Sequence, residues 1–405
     1  MPPTIAYISQ GKLFMKPAVG GEVEIVSDFV RSLKQRLKSV EDRQAFRGSG
    51  SGAAFMRGGV GSGGATVEDT FFAEFSAVAS GVGPNQVCYA IDAGDVRGLF
   101  VYDLAEKYER RVLHGPRHRF AALDVRQEEG TQVWLVAAAQ DHGDSRIGLF
   151  RPDVGGGVQE LTEGDSLDSY PCWLPEGQRG FVYQTSGIAR QAHGPEWAGL
   201  GPASLQRIHL DTGSLETVAE DDRYDFLCPA YGRDGSLYYL KRPYVPFHRV
   251  PLWQQGLDVL LFPFRLLRAV VAFLNVFSVF FSGKPLQTAG QGPRREGPDP
   301  KAVFLHGRWV RMEKQMRDAA VDEMTSAVPK NWELIRQTPE GLTTSVLTGV
   351  MAFTVASDGS LIYSNGRGVW AVDGQGGKPV KLSSRSLVTA LCVVEGDSPP
   401  AAAHT

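Results

Sequence analysis

Residues Val350 to Ser383 read VMAFTVASDGSLIYSNGRGVWAVDGQGGKPVKLS. Four short strand signals, Met351 to Ala356, Leu361 to Ser364, Val369 to Val372 and Pro379 to Leu382, are separated by Asp358-Gly359, Asn365-Gly366 and Asp373-Gly374. Those dipeptides tolerate positive φ and suit hairpin turns. A four-stranded antiparallel meander that recurs along a chain is the signature of a propeller blade. The rhythm recurs from end to end here, so the expected class is all-β, a six-bladed β-propeller.

At 405 residues the length suits several domains or one closed ring of six blades equally well. Hydrophobic residues make up 42%, charged residues 21%, and the net charge is −3, which gives no global attraction to nucleic acid. Cys88, Cys172, Cys228 and Cys392 sit singly in apolar strand patterns without a C-x-x-C spacing. Small buried thiols fit that placement better than a metal site or disulfides. Met1 to Ile8 has no basic segment followed by an apolar run, and Thr4 to Ile8 already reads as a strand. The expectation is a chain without a secretory signal, cytoplasmic, with a peripheral place at the inner face of the membrane as a variant.

Taken in order, Thr4 to Ser9, Lys12 to Pro17 and Val23 to Ser27 supply three strands, one short of a blade. Val388 to Val394 follows the last complete blade and has no successors. Pairing it with Thr4 to Ser9 would close the ring and remove exposed sheet edges. The propeller then spans 1–395, and 396–405 reads as a disordered tail. Asp28 to Arg47 interrupts the strands with a helical pattern of Phe29, Leu33, Leu37 and Val40, in which Arg31, Lys34, Arg36, Lys38, Arg43 and Arg47 outnumber Glu41 and Asp42. Such a basic amphipathic helix either rests on the propeller with a solvated charged side or meets an anionic surface. With the Gly-rich stretch Gly48 to Gly64 it forms an insertion over 28–70. The G-x-G-x-x-G match at Gly59, Gly61 and Gly64 has neither a preceding strand nor a βαβ context, and reads as a flexible loop.

Blades two to five follow as Phe71 to Leu113, Phe120 to Leu161, Asp168 to Val218, and a fifth opening at Tyr224. Leu161-Thr162, then Asp168-Ser169-Tyr170-Pro171-Cys172-Trp173-Leu174-Pro175-Glu176-Gly177, and the Asp-Gly-Ser-Leu turns at Asp234 and Asp358, resemble the blades of the TolB-type, WD40-like propeller family. The resemblance covers most of the chain outside its insertions. It implies the fold and does not transfer a function, since neither a secretory signal nor the separate domain that accompanies TolB's role is expected from these 405 residues.

Blade five is interrupted after Ser236 to Leu240, and its next strand signal is Trp332 to Gln337. The insertion, 244–330, opens with the most apolar stretch of the chain, Leu252 to Phe281. Phe264 to Phe281 could run as one helix of about 27 Å. In Phe262 to Phe281 thirteen of the twenty residues are Leu, Val or Phe. They contribute roughly −4 to −8 kcal/mol toward bilayer insertion, against up to about 3 kcal/mol each for Arg265 and Arg268. Both flanks belong to one blade, so a single crossing conflicts with the topology. An interfacial helix, a re-entrant element, or a helix covered by protein satisfies it. A second helix is expected from Asp299-Pro300, with Val303, Phe304, Trp309, Val310, Met312 and Met316 as its apolar side.

No H-E-x-x-H, P-loop, G-x-S-x-G or paired metal-ligand spacing occurs, so no catalytic, cofactor or metal residue is assigned. The expected function is a non-enzymatic scaffold that binds a protein partner, an anionic membrane surface, or both, with self-association as a variant and nucleic acid excluded. The interaction residues would be Trp253, Leu260, Phe262, Phe264, Arg265, Leu267, Arg268, Val271, Leu274, Phe277 and Phe281, with Lys34, Arg36, Lys38, Arg294 and Arg295 supplying positive charge. The alternative is a small-ligand-binding or hydrolytic propeller that uses its central channel, with the insertion as a lid. Converging Asp, His or Arg at the channel mouth would favour it.

Overall fold

The computed structural model describes residues 2–48, 72–140, 143–190, 197–246, 302–306, 308–311, 324–374 and 377–396. Within them six four-stranded antiparallel sheets form the blades of one propeller. Blade one is β28 (Val388–Val394), β1 (Thr4–Ser9), β2 (Lys12–Lys16) and β3 (Val23–Ile25), in that spatial order. Blade two holds β4 (Glu74–Ser80), β5 (Gln86–Asp92), β6 (Arg97–Asp103) and β7 (Tyr108–Gly115). Blade three holds β8 (Arg119–Glu128), β9 (Thr131–Ala139), β10 (Ser145–Phe150) and the two-residue β11 (Gln159–Glu160). Blade four uses β12 (Ser169–Trp173), β13 (Gly180–Thr185), β16 (Ser204–His209) and β17 (Ser214–Ala219), with the hairpin β14 (Ile188–Arg190) and β15 (Trp197–Leu200) inserted. Blade five uses β18 (Tyr224–Tyr231), β19 (Leu237–Pro243), β22 (Glu333–Gln337) and β23 (Thr343–Thr348). Blade six holds β24 (Ala352–Val355), β25 (Leu361–Ser364), β26 (Val369–Val372) and β27 (Val380–Ser383).

Strand periodicity explains how these sheets stack. Successive side chains point to opposite faces, and both faces of a propeller blade are covered by neighbours, so the second strands read as unbroken apolar runs. In β5, Cys88 and Ala90 join the core between blades two and three, while Val87, Tyr89 and Ile91 join the one between blades one and two. Four further cores fill the remaining blade interfaces. Trp134, Tyr7, Tyr89, Phe100 and Phe181 are the largest side chains fully buried there. Each contributes about 2 to 3 kcal/mol by burial.

Ring closure comes from the two ends of the described chain. β28 pairs antiparallel with β1, Ala6 opposite Cys392 and Thr4 opposite Val394. A polar latch reinforces the neighbouring interface with blade six. Glu22 accepts from the Tyr7 hydroxyl, from Ser383 Oγ at 2.7 Å and from Arg385 Nε at 2.9 Å, and the Arg385 guanidinium lies 4.0 Å over the Phe14 ring.

The inner strands β28, β4, β8, β12, β18 and β24 neighbour one another round the axis, with the loosest approach between β18 and β24. Five of the six carry a bulge, shown by a break in register against the second strand. The extra residues are Thr389, Ser76, Ala121, Tyr170 with Pro171, and Cys228 with Pro229. Tyr170 and Cys228 take left-handed φ values of 49° and 53°.

One expected element is corrected. The segment after Asp299-Pro300 forms a hairpin, β20 (Ala302–Leu305) and β21 (Arg308–Arg311), where a helix was expected. Val303 stands opposite Val310 and Phe304 opposite Trp309, with His306 at the tip. β-Branched and aromatic residues favour that pairing, and His306 adopts φ 52°, which a helix does not allow. The helix at residue 28 is present as α1 (Asp28–Gly48). The apolar stretch 252–281, Arg294, Arg295, the glycine-rich 49–64 and 397–405 lie outside the described residues.

Candidate functional site

The place where the blade-five insertion rejoins the propeller gathers the most unusual chemistry. The tip of the β20–β21 hairpin enters the loose seam between β18 and β24. There Leu305 packs with Ala327, Val328, Trp332 and Met351 in a small separate core. His306 is 4% exposed. Its Nε2 lies 2.8 Å from the Met351 carbonyl oxygen, which can only accept, so Nε2 carries the proton. Nδ1, left with a lone pair, then accepts from the Cys228 thiol at 3.0 Å. The Tyr170 ring meets the imidazole edge to face with centroids 5.2 Å apart. The insertion is thus pinned to the inner strands of blades four, five and six by one side chain.

A thiol and an imidazole within hydrogen-bond reach are the core of a nucleophile and base pair. The electrostatics here oppose that use. Burial, aided by the nearby Arg242 charge, lowers the His306 pKa to about 3. Burial likewise pushes the Cys228 thiol well above its ordinary value. A thiolate–imidazolium pair requires the opposite shifts. Both groups are neutral at pH 7, and both are used up in packing and hydrogen bonding.

Beside this lock lies a buried ion pair. Asp225 and Arg242 are 0% and 4% exposed, with Arg242 Nε 3.1 Å from Asp225 Oδ2. Asp225 Oδ1 accepts from the Ala203 amide at 3.0 Å, and the guanidinium stacks 4.8 Å from the Trp332 ring. The pair ties β18 to β19 and to the segment entering β16. None of the bulge residues on the inner strands is charged. Among the described residues no group of three or more His, Cys, Asp or Glu could hold a metal ion.

The blade-four excursion stands next to this region. In it Ile188 and Leu200 are buried and Arg190 pairs with Asp165 at 2.8 Å. Tyr244, at the exit of β19, donates its hydroxyl to the Leu200 carbonyl at 2.7 Å. The connections from second to third strand in blades four and five therefore support each other at one end of the propeller. α1 sits elsewhere: Phe29 packs on Phe100 of β6, with centroids 5.1 Å apart, and its amide donates to Glu109 of β7 at 3.0 Å.

Of the expected interaction residues, Lys34, Arg36 and Lys38 are exposed on α1, while Trp253 to Phe281, Arg294 and Arg295 lie outside the described residues. Sequence reading missed His306, Cys228 and Tyr170 as a unit. Tyr170-Pro171 and Cys228-Pro229, matching aromatic or thiol and proline pairs in equivalent strands, were the available signal. No helix among the described residues is long and apolar enough to cross a membrane.

Fold and site together define a six-bladed β-propeller with a pinned insertion. No family model matches the chain, and no curated protein matches it. Solved structures give fold-level likenesses. The crystal structure of a nidogen/laminin complex aligns at 8% identity and TM-score 0.49, covering 98% of this chain and 100% of that one. TolB from Acinetobacter baumannii aligns at 10% identity and TM-score 0.49, covering 97% and 67%. A TolB from Agrobacterium tumefaciens aligns at 11% identity and TM-score 0.40, covering 78% and 84%. The TolB-like resemblance is one of fold, and the propeller itself is defined by the pairing of this chain's own strands.

Proposed function

We propose that the protein is a non-enzymatic binding propeller that meets a membrane surface, or a partner held at one, through the apolar segment 252–281. The observation that carries this reading is the pinning of the insertion at both ends. The chain leaves β19 at Tyr244, whose amide donates to the Arg223 carbonyl at 2.8 Å, and is held again at His306. Both anchors belong to the inner, excursion-bearing end of blades four to six. A segment leaving and returning there cannot cross a bilayer once, yet thirteen of its twenty residues from Phe262 to Phe281 are Leu, Val or Phe. Apolar surface of that density is stable only when covered.

The lid reading draws support from the same docking of the hairpin tip on the inner strands. Among the described residues the Cys228 and His306 pair does not supply it with a nucleophile, since both groups are held neutral and hydrogen-bonded to each other.

Excision of Pro251 to Lys330 would also remove Leu305, His306, Ala327 and Val328, which fill the seam. The test therefore uses the full chain with Phe273, Leu274, Phe277 and Phe280 replaced by serine. The unaltered protein should float with neutral phosphatidylcholine liposomes and the substituted one should remain in the buffer fraction. Equal flotation of the two, or a monodisperse unaltered protein that never floats, would sink the reading.

A further inference from the structure

α1 leaves the propeller after its first turn. Phe29 and Val30 pack against the core between blades one and two, and Leu33 is half-buried. At 100° per residue Phe29, Leu33, Leu37 and Val40 share one side of the helix. The stripe therefore continues past its cover: Leu37 is 40% and Val40 49% exposed. By the same spacing Lys34 borders it on one side, next to Glu41 and with Lys38 farther round, while Arg36 and Arg43 border it on the other, and all four cations are exposed.

We propose that α1 is a contact for an anionic phospholipid surface, in which Leu37 and Val40 enter the headgroup boundary and the four flanking cations meet lipid phosphates. The length of the stripe favours lipid over a protein groove. Its next positions, Gln44 and Arg47, are polar. The uncovered apolar run is thus too short for the spaced anchors that a groove-bound helix needs. Positive charge on both borders complements a planar anionic surface, where each basic residue strengthens binding about fivefold. This contact is independent of segment 252–281, because blade two lies across the ring from blade five.

The test is flotation of the full-length protein with vesicles of phosphatidylcholine alone and with added phosphatidylserine. Four proteins are compared: the unaltered chain, K34E/R36E/K38E, the serine-substituted chain described above, and the combination. In both backgrounds the charge reversals should weaken association with the phosphatidylserine vesicles by about 100-fold or more and leave the neutral vesicles nearly unaffected. The substituted residues are exposed, so the thermal midpoint should match the unaltered chain. Undiminished binding of K34E/R36E/K38E to phosphatidylserine overturns the α1 contact while leaving the blade-five reading intact. Loss in that variant with full binding by the serine variant does the reverse. A concentration-dependent dimer that the charge reversals dissolve would show that a second copy covers the stripe, and would also overturn the lipid contact.

Discussion

His306 carries a proton balance that can be measured. Its pKa falls from about 6.5 in an unfolded chain to about 3 in the folded one. Between those values the unfolded state binds more protons, so stability rises with pH across the window. The contribution is fully present above pH 6.5 and is lost as the pH falls toward 3. Denaturant unfolding at pH 7 and pH 4.5 should show a drop of a few kcal/mol in the unaltered protein, part of which is absent in His306→Gln. Equal pH dependence in the two would mean that His306 is not buried as described. Cys228→Ala leaves Nδ1 without its donor and should cost about 1 to 3 kcal/mol, read as a lower denaturant midpoint.

Among the elements, the strands were the most legible in sequence, because paired turns such as Asp358-Gly359 and alternating apolar residues are local signals. Ser360 donates its amide to Asp358 Oδ1 at 2.9 Å, so that turn is fixed by its own residues. The β20–β21 hairpin was misread because Val303, Phe304, Trp309 and Val310 also fit helical spacing, and the deciding feature is one left-handed residue at the tip. The wedge of Leu305, Ala327, Val328 and Met351 leaves no periodic trace, since it draws single residues from segments far apart in the chain. The bulges escaped for a related reason: an extra residue is visible only against its partner strand. Glu22 belongs to this scale because it joins the β2–β3 connection to β27. Burial raises its pKa, but hydrogen bonds from Tyr7, Ser383 and Arg385 outweigh that and hold it low. Glu22→Ala should destabilise the protein by about 1 to 3 kcal/mol at pH 7, and the deficit should shrink in acid as the carboxylate of the unaltered chain protonates.

For the whole molecule, stability is distributed over six like interfaces, so no single one dominates. Leu135 is fully buried between blades three and four. Leu135→Ala should cost about 2 to 5 kcal/mol. Because adjacent blades share strands' opposite faces, the loss should lower one cooperative transition, followed by intrinsic fluorescence, and a separate early transition would mean that the blades unfold independently. Composition and repeat placed the chain in its fold class, while the proposed binding site depends on which insertions the ring presents. That choice is written in long-range contacts such as His306 to Cys228, which a linear reading does not connect.

The pairing of β28 with β1 has a consequence for how the protein is made. Blade one receives its innermost strand from residues 388–394, so a nascent chain has five complete blades and an open rim until those residues emerge from the ribosome. Through that interval β1 presents an unpaired edge, and any chain stalled before Val388 keeps it. Closure therefore waits on residues 388–394, and a chain with β1 and β28 joined and a new opening cut at the Asp211-Thr212-Gly213 turn should move that wait from blade one to blade four.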